Sequence, residues 1–290
     1  MLVALLMGFA CGLPLLLTIS VLQAWMKEEA VDLTVIGMMA LVGLPYTLKF
    51  LWAPFLDRFT LPFLGRRRGW LLAAQVALVF SILGLSLTDP GNNPWSVAFI
   101  AFLVTFFSAS QDIVVDAYRR EDLPDEELGL GASLYIYGYR LGMLLASGGG
   151  LIMADHMPFS YVYIVMAACM LPGVLTTLFA PEPEAAAGRP KTLREAVLEP
   201  LVEYFNRSSA VWILLFVLLY KIGDTMASAM TTPFYLDIGF SKTEIGAVVK
   251  LFGFWATIAG SLIGGVFMLR LGINRSLWVF GLLQAASTGC

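Results

Sequence analysis

Long apolar runs separated by short polar connections dominate the hydrophobic pattern of this sequence. A run of about 20 apolar residues is long enough to cross the hydrocarbon core of a bilayer as a helix. The pattern predicts eight such spans and the start of a ninth near Ser276, which the C-terminus interrupts. The eight spans are 1–25, 34–56, 70–88, 95–118, 129–154, 159–180, 209–236 and 243–269. We therefore expect an all-α membrane protein.

Composition supports a membrane location. Hydrophobic residues make up 59% of the 290 residues, charged residues make up 13%, and the mean hydropathy is +0.80. A soluble domain carries about 25% charged residues, so this chain lacks the polar surface that water requires. The first run has no basic flank and no cleavage site, which favours a helix over a signal peptide. Because Met1 already lies in apolar sequence, we expect that some N-terminal residues are missing.

The distribution of lysine and arginine predicts the orientation of the spans. Basic residues are enriched in loops that stay in the cytoplasm. Of the 18 lysines and arginines, the odd-numbered connections carry only Lys27 and Lys242. The even-numbered connections carry Arg58, Arg66, Arg67, Arg68, Arg119, Arg120, Arg189, Lys191, Arg194, Arg207, Arg270 and Arg275. We expect the N-terminus and the even-numbered connections to face the cytoplasm of a bacterial inner membrane.

The spans divide into two groups on either side of a polar connection. The sequence predicts an N-terminal six-helix bundle over 1–180, a cytoplasmic linker over 181–208 and a partial C-terminal bundle over 209–290. The second and eighth spans open with the related segments DLTVIG and SKTEIG, which share Thr, Ile and Gly at an offset of 209 residues. Matches at equivalent helices of two halves are typical of transporters with parallel repeats.

Residues with catalytic or metal-binding chemistry are scarce. Cys11 and Cys169 lie inside apolar runs, Cys290 is the last residue, and the single histidine, His156, stands in a loop beside Asp155. This distribution favours neither a disulfide framework, nor a metal site, nor a nucleophile paired with histidine. We therefore expect no enzyme activity, no cofactor and no nucleic-acid partner.

A charged motif between the second and third spans carries a family resemblance. Asp57 and Arg58 are followed by Gly65, Arg66 and two further arginines. This arrangement resembles the signature loop of the major facilitator superfamily, although residues 59–64 lengthen the usual spacing. The resemblance implies a bundle of two six-helix halves, of which this chain contains the complete first half and about three helices of the second.

Further segments resemble one branch of that superfamily, the AmpG-type anhydromuropeptide permeases. They are 8–17 (GFACGLPLLL), 43–54 (GLPYTLKFLWAP), 110–121 (SQDIVVDAYRRE) and 138–142 (GYRLG). This resemblance implies a proton-linked importer of cell-wall turnover products, with roles in peptidoglycan recycling and beta-lactamase induction. It implies a disaccharide-peptide substrate, the proton gradient as energy source and a monomer in the lipid bilayer.

Family members have a complete second half, so we expect the last three or more helices to be absent and the isolated fragment to be unstable. Two alternatives stay open. One keeps the fold and changes the cargo to another organic anion, such as an acyl-coenzyme. The other is a membrane-embedded enzyme or sensor without transport.

Charged residues inside the spans are the candidate site residues, because a charge at the bilayer centre costs at least about 2.5–3.5 kcal/mol. Helical rise places Lys49, Asp112 and Arg140 at overlapping depth on the second, fourth and fifth spans. We expect them to share a polar cluster in which Lys49 and Arg140 bind anionic groups of a substrate.

The fourth span also carries candidates for proton coupling. Asp112 and Asp116 are four residues apart and occupy one helical face. Two neighbouring carboxylates inside a membrane bind a proton more readily, which suits a proton carrier. Gln111 borders this face and is a candidate for hydrogen bonding to a sugar or amide. The alternative is that both aspartates simply pair with Lys49, Arg140 or Arg119.

The seventh and eighth spans add three charged residues. Lys221 and Asp224 are three apart near the middle of the seventh span, and Lys250 lies near the start of the eighth. A structural interpretation pairs Lys221 with Asp224 within one helix. The functional interpretation gives Asp224 the proton, and gives Lys221 and Lys250 the substrate.

Other residues are expected to hold or move the helices. Asp57, with Arg58, Gly65 and Arg66, is predicted to lock neighbouring helices together at the cytoplasmic edge. Gly138 and Gly142 form a small-residue stripe, which lets helices approach closely and slide. Together these features predict alternating access by rocking of two bundles.

Overall fold

The computed structural model describes residues 1–183, 202–207, 209–216, 219 and 253–288. Every regular element within these ranges is a helix, which confirms the predicted all-α class. The chain forms two compact units, Met1–Ala187 with Ser261–Cys290, and Gly188–Gly260. The predicted division at 180 and 208 stays a prediction.

The first membrane helix is continuous but irregular. It consists of α1 (Leu2–Leu16), a π-helical turn (Leu17–Val21) and α2 (Leu22–Glu28). The widened turn follows Pro14, which has no N–H to continue the α-helical hydrogen bonding. The hydroxyl of Thr18 donates to the carbonyl of Pro14 at 3.1 Å.

The second membrane segment is broken into short pieces. These are α3 (Leu33–Met38), a 3₁₀ turn (Met39–Gly43), α4 (Leu44–Leu48), a second 3₁₀ turn (Lys49–Leu51) and α5 (Ala53–Arg58). Prolines occupy the first turns of α4 and α5, where a proline is tolerated. Asp32 caps α3, and hydrogen bonds from the side chain and backbone N–H of Thr34 hold the pKa of its carboxyl below the ordinary value.

The third and fourth membrane helices are long and regular. They are α6 (Arg66–Ser86) and α7 (Pro94–Asp122). Asn93 caps α7 by accepting a hydrogen bond from the N–H of Ser96 at 3.1 Å. The sequence predicted that the third span starts at residue 70, which left the three consecutive arginines of the motif in a loop. In the structure these arginines form the first turn of α6.

Two further helical regions complete the first half. Helix α8 (Leu128–Leu144) continues through a π-helical turn (Leu145–Gly149) into α9 (Gly150–Ala154). It is followed by α10 (Phe159–Ala168) and α11 (Leu171–Phe179). Leucine, valine and methionine side chains of α1, α6, α7 and α10 form the main core, including Leu13, Leu78, Val104 and Met166.

Towards the C-terminus, the structure describes α12 (Gly253–Leu271) and α13 (Ile273–Thr288). Gly272, with φ +77°, separates them. Short helical segments also cover 202–206 and 210–216. Most of the predicted seventh span and the start of the eighth lie outside the described residues.

Five helices in the described part of the chain are long and apolar enough to cross a membrane. They are Leu2–Glu28, Thr34–Leu51, Arg66–Ser86, Pro94–Asp122 and Phe159–Phe179. The predicted span 129–154 is helical but is not one of the five, because Arg140 and several glycines lower its apolar character. Trp255–Leu271 is apolar but shorter.

Candidate functional site

A polar face on α7 forms the centre of the candidate site. Gln111 and Asp112 are both buried, with 0% and 8% of their surface exposed. Ser108 lies one turn earlier and accepts a hydrogen bond from the Tyr46 hydroxyl at 3.0 Å. Helix α7 thus presents an amide, a carboxyl group and a hydroxyl on adjacent turns, deep within a membrane span.

Two oxygens of this face have no hydrogen-bond partner within the described structure. The side-chain amide of Gln111 donates to the Cys11 sulfur on α1 at 3.1 Å, while Gln111 Oε1 and Asp112 Oδ1 are buried without partners. Buried acceptors in this state are costly. They are therefore suited to bind a proton or the donor groups of a ligand.

One basic residue, Lys49, interacts with Asp112 without forming an ion pair with it. Lys49 is half-buried in the 3₁₀ turn that follows α4 and interacts electrostatically with Asp112. Arg140 is exposed and acts instead on Tyr139. Among the described residues no ion pair joins Lys49, Asp112 and Arg140, and only Lys49 interacts with Asp112, so the three-residue cluster stays a prediction.

Asp116 has a different environment from Asp112. Its side chain is 51% exposed and pairs with Arg119 one turn later, at 3.2 Å. The Arg119 guanidinium also stacks over the Tyr135 ring, 4.4 Å from the ring centroid. Pairing of Asp116 with Arg119 is the structural alternative to proton coupling that the sequence also allowed.

Lys221, Asp224 and Lys250 lie outside the described residues. Their proposed roles therefore stay predictions.

A second cluster of charges joins the ends of α5, α6 and α7. Arg67 contacts Asp57 and Glu121 at 2.6 Å each, and Arg66 contacts Glu121 at 2.6 Å. The two arginines are buried, and Glu121 is largely so. Asp57 thus pairs with Arg67 of the next helix, while the neighbouring Arg58 lies over the Phe59 ring.

Glu182 attaches the end of the sixth membrane helix to this cluster. Its carboxylate accepts hydrogen bonds from the backbone N–H groups of Arg67 and Arg68 at 2.8 and 3.0 Å. A negative charge at a helix N-terminus is favourable because the N–H groups there lack helical partners. Gly65 has φ +88°, and a Cβ at this position would lie 2.6 Å from the Glu182 carboxyl carbon.

Glycines bring α1 and α8 into close contact. A Cβ on Gly138 or Gly142 would overlap the carbonyl oxygens of Leu5 or Phe9. In the reverse direction, Gly8 and Gly12 face the backbone of α8 at Tyr135 and Tyr139 in the same way. The glycine stripe on α8 therefore lies in a helix interface, and α8 is held where its tyrosines adjoin Cys11 and Asp112.

The start of α8 contacts α12. A Cβ built on Gly265 would overlap the Ser133 hydroxyl and lie 3.1 Å from the carbonyl oxygen of Gly129. Gly129 in turn faces Met268, whose sulfur would lie 2.8 Å from an added Cβ. Helix α8 thus has small residues facing both α1 and α12.

Sequence reasoning missed several residues of these clusters. Cys11 lies inside an apolar run and was not a predicted site residue, yet its sulfur accepts the Gln111 hydrogen bond. Tyr46, Glu121 and Glu182 were not predicted as site residues. Tyr46 and Glu121 did lie in the segments that carried the family resemblance. No local signal pointed to Glu182, whose partners lie about 115 residues earlier in the chain.

Within the described residues, no group of three His, Cys, Asp or Glu side chains could hold a metal ion. The polar atoms of the site are an amide, a carboxyl group, hydroxyls and a thiol. This set is suited to hydrogen bonding and proton binding.

The chain is similar to known membrane transport proteins along nearly its whole length. The model of the Major Facilitator Superfamily matches residues 1–290. The anhydromuropeptide permease of Escherichia coli (strain K12) is 48% identical over 287 residues, which cover 98% of this chain and 58% of that protein. The chain thus spans less than two thirds of the length of this relative.

Two further relatives are covered more fully. An uncharacterized protein of Haemophilus influenzae is 46% identical, over 100% of this chain and 69% of that protein. A putative transporter AmpG 4 of Rickettsia conorii is 32% identical, over 96% of this chain and 70% of that protein. Transport proteins of one branch are therefore similar to this chain over nearly its whole length.

Proposed function

Because this chain belongs to the major facilitator superfamily, and within it to the AmpG-type anhydromuropeptide permeases, we propose that it serves proton-coupled import of anhydromuropeptides. It is an integral membrane protein of a transporter family rather than an enzyme family. The proposed cargo is a disaccharide-peptide from cell-wall turnover, moved from periplasm to cytoplasm by alternating access.

The buried, unpaired carboxyl oxygen of Asp112 carries this proposal. A charge left unpaired in the membrane is costly, and binding a proton removes that cost. Lys49 lies close enough to act on Asp112 electrostatically. Protonation of Asp112 therefore changes the charge balance around Lys49, which couples the proton to an anionic substrate.

Gln111 has the substrate-binding role in this scheme. Its free Oε1 accepts a hydrogen bond from an amide N–H or a sugar hydroxyl, both of which a muropeptide supplies. Arg140, exposed on α8, is assigned to a substrate carboxylate. Lys221, Lys250 and Asp224 keep their predicted roles in a second bundle over 209–290, joined to the first by the linker over 181–208.

The proposed movement is a rocking of the two bundles. Close packing of α8 on α12 through small residues supports it, because α8 lies in the first predicted bundle and α12 in the second, and such surfaces slide without interlocking side chains. The charge cluster of Asp57, Arg66, Arg67 and Glu121 is the corresponding lock at the cytoplasmic face. We place the N-terminus in the cytoplasm of the inner membrane, with the proton gradient as the energy source and a monomer as the working unit.

Uptake of a labelled anhydromuropeptide tests the proposal. The host lacks its own permease and expresses the gene that encodes this chain. We expect uptake that an uncoupler abolishes. Asp112→Asn should remove the uncoupler-sensitive accumulation but retain exchange of labelled for unlabelled substrate, because substrate binding is preserved. Gln111→Ala should weaken exchange as well.

The comparison with Asp116 decides which carboxylate carries the proton. Because Asp116 is exposed and paired with Arg119, we expect Asp116→Asn to accumulate substrate. Asp125→Asn, in the loop after α7, controls for expression and for loss of one charge. Accumulation by Asp112→Asn at normal expression would reject the coupling role, and uptake of other organic anions but not muropeptides would reject the cargo.

A further inference from the structure

An apolar groove runs along α5, α6 and α7. Its volume is about 410 Å³, within the range of about 300–1,000 Å³ that ligand pockets have. Phe55, Trp70, Ala77 and Phe106 are among its lining residues. Two polar groups also line it, the Trp52 indole N–H and the Ser110 hydroxyl, and they bond to each other at 3.0 Å. The groove therefore suits hydrocarbon rather than a sugar or peptide.

The groove occupies one half of the membrane thickness. Trp70 and Ala77 lie four and eleven residues after Arg66, which corresponds to roughly 6 and 17 Å along α6 at about 1.5 Å per residue. The hydrocarbon core is about 30 Å thick. The groove thus extends from the edge of the charge cluster to near the middle of the bilayer, which is the depth of one lipid leaflet.

Arg58 lies near the end of the groove that is closest to the charge cluster. The Arg58 guanidinium lies 5.4 Å from the centroid of the Phe59 ring, and that ring lies 4.5 Å from the ring of Phe55. The Trp70 indole donates to the Phe59 carbonyl at 2.6 Å, which fixes this corner. Within the described part of the chain Arg58 makes no ion pair, because the adjacent Asp57 is bound by Arg67.

We propose that the groove binds an acyl chain of an anionic phospholipid from the cytoplasmic leaflet, and that Arg58 binds its phosphate. The apolar lining suits an acyl chain, because hydrocarbon makes no hydrogen bonds. The Arg58 guanidinium, which has no ion-pair partner among the described residues, suits the negatively charged phosphate. Basic groups at the cytoplasmic membrane edge attract anionic lipids. The inference rests on the proposed orientation and not on the proposed substrate.

Mass spectrometry of the intact chain in detergent tests the site. The chain is titrated with phosphatidylglycerol or with phosphatidylcholine that has the same acyl chains. We expect tighter binding of phosphatidylglycerol. Arg58→Gln should lower this affinity by about five-fold, the effect of one basic residue at an anionic surface. Arg120→Gln is the control at an exposed arginine at the end of α7, and it should change little because Arg120 already pairs with Asp125 at 2.9 Å.

A second pair of variants tests the groove. Ala77→Phe fills it and should weaken binding of both lipids, whereas Val76→Phe introduces the same side chain at an exposed neighbour outside the lining. If Ala77→Phe does not fold, Arg58→Gln decides alone, because it breaks no ion pair.

Several outcomes would overturn the proposal. If the two lipids bind equally well, Arg58 does not bind the phosphate. If Arg58→Gln and Ala77→Phe both fold but only one of them weakens binding of phosphatidylglycerol, the groove and Arg58 do not form one site. A dimer that Ala77→Phe abolishes, without bound lipid, would assign the groove to a second copy of the chain. Since the readout is lipid mass, failure of muropeptide uptake leaves this result unaffected.

Discussion

At the scale of single residues, Glu182 connects parts of the first half that are far apart in sequence. It follows α11 and caps the first turn of α6 with two backbone hydrogen bonds. The neighbouring Tyr118 hydroxyl donates to the Pro181 carbonyl at 2.7 Å, and the Arg68 side chain donates to the Thr177 carbonyl at 2.9 Å. The end of the sixth membrane helix is thus fixed to both α6 and α7.

We expect Glu182→Ala to cost about 0.5–2 kcal/mol of stability, the usual cost of losing a helix N-cap. Thermal unfolding of the purified chain in detergent measures this. The matched control is Glu127→Ala, because Glu127 occupies the N-cap of α8 without making a capping hydrogen bond. Equal effects of the two substitutions would show that the Glu182 contacts contribute nothing specific.

The sequence indicated the polar residues of the site more reliably than their partners. Gln111 and Asp112 were identifiable because polar side chains inside an apolar run are costly and need a reason. Their contact with Cys11 was not, since it joins residues 100 positions apart and depends on how α1 crosses α7. Likewise, Asp57 was expected at a helix lock, but only the fold places Arg67 and Glu121 beside it.

At the scale of helices, the interface between α1 and α8 depends on glycine. We expect Gly138→Ala to destabilise the chain by about 1–3 kcal/mol or more, because its Cβ would overlap the Leu5 carbonyl in rigid helical backbone. Gly148→Ala is the matched control on the same continuous helix, where the nearest atom, Leu144 Cδ1, would lie at 3.7 Å. Thermal unfolding in detergent compares the two, and equal stability would mean that the helices separate without cost.

Hydrophobic periodicity located the helices of the first half, whereas glycines and prolines indicate where the first two membrane segments bend. Apolar length predicted the second span as one helix over 34–56. In the structure Gly43, Pro45 and Pro54 divide it into short helices with 3₁₀ turns. The predicted start of the third span, residue 70, lies after the start of α6, because three consecutive arginines are typical of a loop. In the structure Asp57, Glu121 and Glu182 supply the partners that allow these arginines to lie in a helix.

At the scale of the whole molecule, arginine is concentrated at one end of the first half. Arg66, Arg67, Arg119 and Arg120 gather where α6 begins and α7 ends. At the opposite end lies a cavity of about 540 Å³, whose lining includes several acidic residues and His156. Its acidic residues are Glu28, Glu29, Asp89 and Asp155. This asymmetry is what the proposed orientation requires, since basic ends stay in the cytoplasm.

Cysteine labelling tests that orientation. Asn92→Cys lies in the loop before α7, and Asp125→Cys lies in the loop after it, and both positions are exposed. A Cys290→Ser background leaves Cys11 and Cys169, both inside membrane helices, as the native thiols. In intact cells a membrane-impermeant maleimide should label Asn92→Cys, whereas Asp125→Cys should react only after the inner membrane is opened. The reverse pattern would invert the chain, and would move both the charge cluster and the proposed lipid site to the periplasmic side.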